Sequence, residues 1–396
     1  MMKRLSASAS EKKIEFSNLN YRFNHSSIMK PTIHLVVGAR PNYIKANPVF
    51  QRLDELDKFD LVLVNTGQHY DHNMAAIFID ELGMKAPDIN LGVGAGTHGA
   101  QTAKILAAYE KVLIEHSPDL VVVFGDVNSP IACSLAATKL QVPVAHVEAG
   151  LRSFDWSMPE EVNRVLTDRL STLLFTTSPE AERNLNKEGI ASAGIHFVGN
   201  TMIDSLVQCQ RHFAKSTIQN DLGLVGNYAL MTFHRPSNVD DGASLHQLVT
   251  AIIAVAERLP CIFPVHPRTK NKLEDIGLLE SLQNYDKIFL IDPIGYIDFM
   301  HLQQHAAIVL TDSGGIQEES TFFGVPCLTV RENTERPITT TQGTNKLIGI
   351  DYERIPQEVD LVLATNSKEH TVPDLWDGKA ANRISAIIDD YFNNSL

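Results

Sequence analysis

The sequence predicts an α/β fold with two domains, each built on a parallel β-sheet covered by helices. Three observations lead to this prediction. Short apolar runs alternate with longer helical segments along most of the chain, as expected of β/α units. Many strand segments are apolar at consecutive positions, which is typical of strands buried on both faces. The chain has 396 residues, enough for two domains of ordinary size.

Composition narrows the class of protein. Hydrophobic residues make up 44% of the chain and charged residues 20%, as in ordinary globular proteins. The formal net charge of −13 and the lack of a basic stripe argue against nucleic acid as a partner. No apolar run approaches the roughly 20 residues that cross a bilayer, so we expect no membrane span. The four cysteines are far apart, which is typical of thiols in a reducing compartment and favours a cytoplasmic protein.

The first 30 residues differ from the rest of the chain. They are polar, show no clear periodicity and lack the apolar core of a secretory signal. We expect a disordered extension over residues 1–30, to which we assign no function.

The first domain is predicted to begin with a strand at 33–37 and a helix that ends near residue 56. Pro41 suits the first turn of that helix. Arg40 and Lys45 therefore follow the carboxyl end of a strand, the edge at which open α/β sheets bind ligands. A lysine near a helix N-terminus is electrostatically unfavourable unless an anion is close. Both cations could be surface residues, but the pattern favours a binding function.

A second strand is predicted at 61–64, and two patterns beyond it are misleading. His69 and His72 have helical spacing but lack a third ligand, so we predict no metal site. Residues 94–99 match G-x-G-x-x-G, the dinucleotide fingerprint, but the preceding segment is too short and polar to be a confident buried strand. No tyrosine has a lysine four residues later, so we predict no NAD site and read a loop before a helix at 101–116.

Two carboxylates follow the next pair of strands, which are predicted at 119–124 and 142–147. Asp126 and Glu148 should emerge at one edge of a parallel sheet, where they need paired cations or a chemical role. A helix-capping Asp and a salt-bridged Glu are the structural alternative. Ser157 and Glu160 have capping-box spacing, which by itself explains Glu160 structurally. Strands at 173–177 and 195–198 complete the first domain, with a boundary near 200–205.

The second half repeats the plan, with strands at 228–233, 261–265 and 288–291. Ionisable residues again follow strand ends, and they include His234, Arg235, His266 and Arg268. A lone histidine is more often structural than catalytic, but several at the same edge favour a functional site.

The segment 306–319 reads as a buried strand, a polar turn and a helix start. Ser313, Gly314 and Gly315 precede a helix N-terminus, which offers free N–H groups and a positive dipole end to a phosphate. Glu319 lies about one turn later, where it could bind ribose hydroxyls. An ordinary turn with a solvated Glu pair is the alternative. Arg336 follows the next strand, and its charge could instead pair with neighbouring residues.

Apolar residues at helical spacing near the C-terminus, from Ile384 to Phe392, predict a helix that packs back across the domain junction.

Nine motifs occur in order: Gly38-Ala-Arg-Pro41 with Lys45, Thr66-Gly-Gln-His69, Gly125-Asp126, His146-Val-Glu-Ala-Gly-Leu-Arg152, Pro159-Glu-Glu-x-Asn-Arg164, Gly199-Asn-Thr-x-Ile-Asp204, His234-Arg235, Thr311-Asp-Ser-Gly-Gly-Ile-Gln-Glu-Glu319 and Thr334-Glu-Arg-Pro337. From about residue 31 to the C-terminus, the chain closely resembles the non-hydrolysing UDP-N-acetylglucosamine 2-epimerases. The resemblance implies two Rossmann-like domains facing across a cleft, the glycosyltransferase-B architecture. The expected domains are 31–203 with the helix 378–396, and a UDP-binding domain at 204–377.

The resemblance also implies an activity. UDP-N-acetylglucosamine and UDP-N-acetylmannosamine would interconvert, without NAD or metal, by elimination of UDP to a 2-acetamidoglucal and re-addition to the other face. It suggests a homodimer and a role in cell-envelope polysaccharide synthesis. Four alternatives stay open: a 2-epimerase of another UDP-2-acetamido sugar such as a diacetamido-uronate, a hydrolysing epimerase, a retaining glycosyltransferase, and a UDP-sugar-binding protein without activity.

The family's roles carry over to matching positions. Asp126, Glu148 and Glu160 match acid/base carboxylates, and His234 matches the catalytic histidine. The residues expected to bind substrate are Arg40, Lys45, Arg164, His266, Phe299, Ser313, Gly314, Gly315, Glu319 and Arg336. Departures at Asp71 and Ala100 argue against activation by substrate at a second site. Ile294 stands where the best-known bacterial members have a Gln near uracil.

Overall fold

The computed structural model describes residues 30–68, 83–365 and 370–394. The predicted extension up to residue 29 lies outside this part of the chain. His69, Asp71, His72 and the last two residues of the predicted C-terminal helix also lie outside it.

The first sheet is parallel throughout, with strand order β3-β2-β1-β4-β5-β6-β7 in the described part of the chain. Its strands are β1 (Thr32–Val37), β2 (Asp60–Asn65), β3 (Ile89–Asn90), β4 (Leu120–Phe124), β5 (Val144–Ala149), β6 (Leu173–Thr176) and β7 (Ile195–Phe197). The associated helices are α1 (Arg40–Leu56), α2 (His98–His116), α3 (Asn128–Lys139), α4 (Pro159–Leu170), α5 (Pro179–Lys187) and the 3-10 turn Ser192–Gly194.

The second sheet is also parallel, with the order β10-β9-β8-β11-β12-β13. Its strands are β8 (Ala229–Thr232), β9 (Cys261–Pro264), β10 (Ile288–Ile291), β11 (Ile308–Thr311), β12 (Cys327–Thr329) and β13 (Asn345–Leu347). The remaining helices are α6 (Thr201–Phe213), α7 (Ile218–Asp221), α8 (Pro236–Val239), α9 (Gly242–Ala256), α10 (Pro267–Asp275), α11 (Leu279–Gln283), α12 (Tyr296–His305), α13 (Gly314–Phe323), α14 (Ile338–Thr341), the 3-10 turn Tyr352–Arg354, α15 (Ile355–Thr365) and α16 (Ala380–Asn394).

Both sheets reverse their strand order at one place, between β1 and β4 in the first and between β8 and β11 in the second. Loops that leave the carboxyl ends of such strands diverge and leave a crevice, which is where open α/β sheets bind ligands. The predicted α/β fold with two Rossmann-like sheets is therefore confirmed, and each sheet has one such reversal of strand order.

The C-terminal helix α16 packs on the core of the first sheet, as predicted. Its residues Ala381, Ile384 and Ile388 are buried among the side chains of β1, β4 and α1. Asp204, on α6, fixes the start of α16 by accepting hydrogen bonds from the N–H groups of Ala380 (3.1 Å) and Ala381 (2.7 Å).

Two local predictions differ from the structure. The helix predicted at 101–116 begins three residues earlier, at His98, after the short strand β3 at the edge of the sheet. The capping box at Ser157 is wrong, because α4 has Met158 at its N-cap position and the Ser157 hydroxyl instead donates to Asp155 Oδ1 (2.6 Å). Because the Ser157 side chain bonds to Asp155 and does not cap α4, a capping box does not explain the presence of Glu160.

Within the described residues, each helix is too short or too polar to cross a membrane.

Candidate active site

Glu148 joins the two sheets through a buried ion cluster. It is the penultimate residue of β5 in the first sheet. Its carboxylate forms ion pairs with Lys45 of α1 and with Arg336, which follows β12 of the second sheet (2.7 Å to Arg336 Nη2). The side chains of all three residues are no more than 7% exposed. Buried charges of this kind are stable only as a matched set, so each member depends on the others.

The backbone at Glu148 is strained. Its φ is +77°, a conformation that a residue with a side chain rarely adopts, and the β5–β6 register shifts at this point. Such a conformation costs about 1–3 kcal/mol and is found mostly at functional sites. Gly125 lies opposite with φ +67°, and a methyl group there would be 3.0 Å from Lys45 Nζ. The Lys45–Glu148 ion pair therefore packs directly against the Gly125 backbone.

Asp126 follows Gly125 and pairs with Arg164 of α4. Burial alone would raise the pKa of Asp126, but Arg164 and Lys45 outweigh it and hold the pKa below its ordinary value. Arg164 is 2% exposed and also pairs with Glu161. This geometry lets Arg164 orient Asp126, while direct contact of Arg164 with substrate stays a prediction.

Glu160 lies in the first turn of α4 and is half-buried. Its carboxylate has no hydrogen-bond or ion-pair partner among the residues that the structure describes. It is therefore available to a ligand, whereas Asp126 and Glu148 are each already paired with a cation.

His234 follows β8 and is held by Asp312, which follows β11. The buried Asp312 carboxylate accepts hydrogen bonds from the backbone N–H groups of His234 (3.0 Å) and Arg235 (2.9 Å), and it lies 3.3 Å from His234 Nδ1. The His234 ring is half-buried, and the exposed His266 ring lies 5.5 Å away. Asp312 thus orients a histidine that still faces open space.

The Ser-Gly-Gly turn begins α13, with Ser313 at the N-cap position. The Ser313 hydroxyl makes no capping hydrogen bond, so the first N–H groups of the helix are left for another acceptor. Gly314 packs against Arg336, because a methyl group at position 314 would lie 2.6 Å from Arg336 Nη1.

Three further carboxylates lie around this turn. Glu335 pairs with Arg336 and with Arg331 (2.8 Å); burial would raise its pKa, but these two cations hold it well below the ordinary range. Glu318 lies 2.9 Å from Arg336 Nε. Burial, reinforced by Glu318, raises the pKa of Glu319 to about 8, and Arg40 opposes this shift.

Most of the predicted site residues therefore meet at the facing carboxyl edges of the two sheets. Phe299 lies farther along, half-buried on α12 in an apolar cluster with Tyr296 and Met300. The described residues hold no group of three or more His, Cys, Asp or Glu side chains placed to bind a metal ion.

Sequence reasoning missed four residues that hold this site together. Asp312, Glu318 and Glu335 lie inside recognised motifs without an assigned role. His146 was also missed, although its ring nitrogens lie 2.6 Å from Asp168 Oδ1 and 2.9 Å from the Gly125 carbonyl oxygen. The available signal was a polar or charged residue in or next to an apolar strand, as with His146 inside β5 and Asp312 directly after β11.

Comparison with known proteins places these features in a family. The family model of UDP-N-acetylglucosamine 2-epimerases matches residues 51–389. The UDP-N-acetylglucosamine 2-epimerase of Methanocaldococcus jannaschii is 42% identical over 362 residues, covering 90% of this chain and 98% of that protein. The UDP-2,3-diacetamido-2,3-dideoxy-D-glucuronate 2-epimerase of Pseudomonas aeruginosa is 40% identical, covering 88% of this chain and 97% of that protein.

Solved structures agree. The crystal structure of the M. jannaschii UDP-GlcNAc 2-epimerase in complex with UDP-GlcNAc and UDP superimposes with a TM-score of 0.85, covering 90% of this chain and 99% of that chain at 42% identity. The Neisseria meningitidis UDP-GlcNAc 2-epimerase bound to UDP-GlcNAc gives a TM-score of 0.83 at 29% identity, covering 91% and 100%. The chain belongs to the UDP-N-acetylglucosamine 2-epimerase family.

Proposed function

We propose that this protein catalyses the reversible C2 epimerisation of UDP-N-acetylglucosamine to UDP-N-acetylmannosamine. The observation that carries the proposal is the buried ion cluster in which Glu148 is held between Lys45 and Arg336. It brings a carboxylate of the first sheet, Glu148, against a cation that follows the second, Arg336, as a reaction that moves a proton and releases a diphosphate requires.

The chemistry sets two requirements. The C2 proton of the sugar is not acidic, so a base alone does not remove it. Departure of UDP from C1 supplies the driving force: the C2–H electron pair forms the C1–C2 double bond, and the C1–O pair leaves with the diphosphate. Cations and helix N–H groups stabilise that leaving charge. Re-addition of UDP and of a proton to the other face of C2 completes the epimerisation.

Roles are assigned by position in this scheme. Asp126, Glu148 and Glu160 act as the acid/base carboxylates at C2. His234 assists the leaving diphosphate.

The substrate-binding roles follow the same logic. The residues at 313–315 bind the diphosphate with Arg40, Lys45 and Arg336, and Glu319 binds the ribose. Arg164 and His266 add positive charge, and Phe299 lines the uracil pocket. No step in this scheme uses NAD or a metal ion, so activity should survive treatment with a chelator.

A second substrate deserves a parallel test. The P. aeruginosa relative bears the name of an epimerase that acts on a UDP-diacetamido-uronate. Arg331 and Arg235 lie close to Glu335 in addition to Arg336. Surplus cations at this edge would suit a sugar carboxylate, so the uronate should be assayed beside UDP-N-acetylglucosamine.

The test is a proton NMR time course with UDP-N-acetylglucosamine in deuterated water. The expected result is UDP-N-acetylmannosamine with deuterium at C2 and no net accumulation of free UDP. Stoichiometric UDP with free N-acetylmannosamine would indicate a hydrolysing epimerase instead. If only the UDP-diacetamido-uronate is turned over, that sugar nucleotide is the substrate. Binding without any turnover would indicate a UDP-sugar-binding protein.

Three properties of the whole protein belong to the same proposal. We infer domains at 31–203 with 378–396 and at 204–377, to be tested by limited proteolysis. We infer a homodimer, to be tested by light scattering. The four buried free cysteines support a cytoplasmic enzyme, to be tested by cell fractionation.

A further inference from the structure

Glu318 is a buried carboxylate that the proposed mechanism does not use. It lies on α13 one turn after Gly314, and it is 0% exposed. Its Oε1 accepts a hydrogen bond from Asn200 (2.9 Å) and lies 2.9 Å from Arg336 Nε. Its Oε2 is buried and has no hydrogen-bond partner among the described residues. Burying an ionised carboxylate with one oxygen that accepts no hydrogen bond costs free energy.

The charges that face Glu318 nearly cancel one another. Arg336 is shared with Glu148 and Glu335, and Lys45 is already paired with Glu148. Glu319 adds a further carboxylate on the same helix. Burial raises the pKa of Glu318 to about 7; Glu148 adds to this shift, and Arg336 and Lys45 oppose it. Glu318 therefore stands between its charged and neutral forms near neutral pH.

We propose that Glu318 takes up a proton when a nucleoside diphosphate occupies the turn at 313–315, and so compensates the charge of the ligand. This inference rests on the proposed function, because it takes the diphosphate as the ligand of that turn. The diphosphate brings negative charge to within one helical turn of Glu318. The proton comes from solvent, and no covalent bond is broken. Once neutral, Glu318 no longer competes with the phosphates for Arg336.

Calorimetric titration of the full chain with UDP-N-acetylglucosamine tests this inference. The diphosphate of this ligand, unlike the terminal phosphate of UDP, does not titrate near neutral pH. Titrations in two buffers of different ionisation enthalpy count the protons taken up. We expect roughly half a proton per site at pH 7, and an affinity about fivefold weaker at pH 8 than at pH 7.

The Glu318→Gln variant mimics the neutral form. It should bind with no proton uptake and with the same affinity at both pH values. Glu280→Gln is the matched control, because Glu280 is exposed on α11 and should leave the wild-type proton count unchanged.

Two results would overturn the inference while leaving the proposed function intact. The first is wild-type binding without proton uptake. The second is uptake that persists in Glu318→Gln, which would assign the proton to another group such as Glu319. If the variant fails to fold, wild-type binding without proton uptake would still overturn the inference. Absence of any binding by wild type would instead reject the proposed function, and the inference with it.

Discussion

Replacing Gly314 with alanine is expected to disrupt the ion cluster, whereas the same change at Gly315 should leave it intact. A methyl group at 314 would lie 2.6 Å from Arg336 Nη1, 2.6 Å from Glu335 Oε1 and 3.3 Å from Arg336 Cζ. Arg336 is held by three carboxylates, so it has little freedom to move away. At position 315 the nearest atom is Met202 Cε at 3.7 Å, an ordinary contact.

The two substitutions share the same change in side chain and helix propensity. Alanine is favoured over glycine within a helix by about 0.5–1 kcal/mol, so Gly315→Ala should be neutral or slightly more stable than wild type. Overpacking a tight site costs about 1–3 kcal/mol. Taking the upper part of that range for a contact against a fixed guanidinium, we expect Gly314→Ala to lose about 2 kcal/mol of the free energy of unfolding after the propensity gain.

Urea unfolding followed by circular dichroism measures this difference, and the NMR assay measures turnover. Gly314→Ala should also lose at least about tenfold in kcat, because Arg336 is moved away from the leaving diphosphate. The comparison isolates the contact with Arg336, since both glycines lie in the same turn. Equal stability of the two variants would refute the reasoning.

Three further changes probe other parts of the molecule. Lowering the pH from 7.5 to 5 should cost about 2 kcal/mol of unfolding free energy through His34, whose pKa burial lowers to about 4. This stability is present above pH 6.5, the ordinary pKa of a histidine, and is lost as the pH falls towards 4. The urea midpoints of His34→Gln should lack that loss. Asp204→Ala should cost about 1 kcal/mol and speed hydrogen exchange at Ala380 and Ala381, where Asp204→Asn should do less. Asp126→Asn should lower kcat at least about 100-fold, while calorimetric titration should show that UDP binding is retained. An unchanged kcat with weakened UDP binding would contradict the assignment of Asp126 as an acid/base group.

The fold could be predicted from the sequence because its signals are local. Apolar runs mark parallel strands, and parallel strands in one sheet end at a common edge. From that rule alone, one edge of the first sheet was predicted to hold Arg40, Lys45, Asp126 and Glu148. One edge of the second sheet was likewise predicted to hold His234 and Ser313. The roles of these residues came from the family resemblance, and the structure leaves those roles as proposals.

The partners of the charged residues could not be predicted, because they depend on how the two sheets face each other. Glu148 and Arg336 are separated by 188 residues, and Asn200 and Glu318 by 118. Even short spacings misled where two side chains compete: Ser157 has the spacing of a cap, but Asp155 lies closer to its hydroxyl and takes it. A spacing rule gives the hydrogen bonds that one segment can form by itself. The hydrogen bond that is observed depends on every partner that the fold brings within reach.

The strain at Glu148 shows why this site must be understood as a whole. A φ of +77° would favour glycine at this position, and a glutamate there costs about 1–3 kcal/mol of backbone strain. Its ion pairs with Lys45 and Arg336 oppose that cost only when both sheets are in place. Glu148→Gly should therefore relieve the strain and lose the ion pairs together. Glu148→Gln, by contrast, also loses the ion pairs and leaves the same two cations, but it keeps a side chain on the strained backbone, so we expect it to be less stable than Glu148→Gly by about 1–3 kcal/mol in urea unfolding. If Glu148→Gln proves as stable as Glu148→Gly, the strained backbone does not store energy that the cluster must oppose.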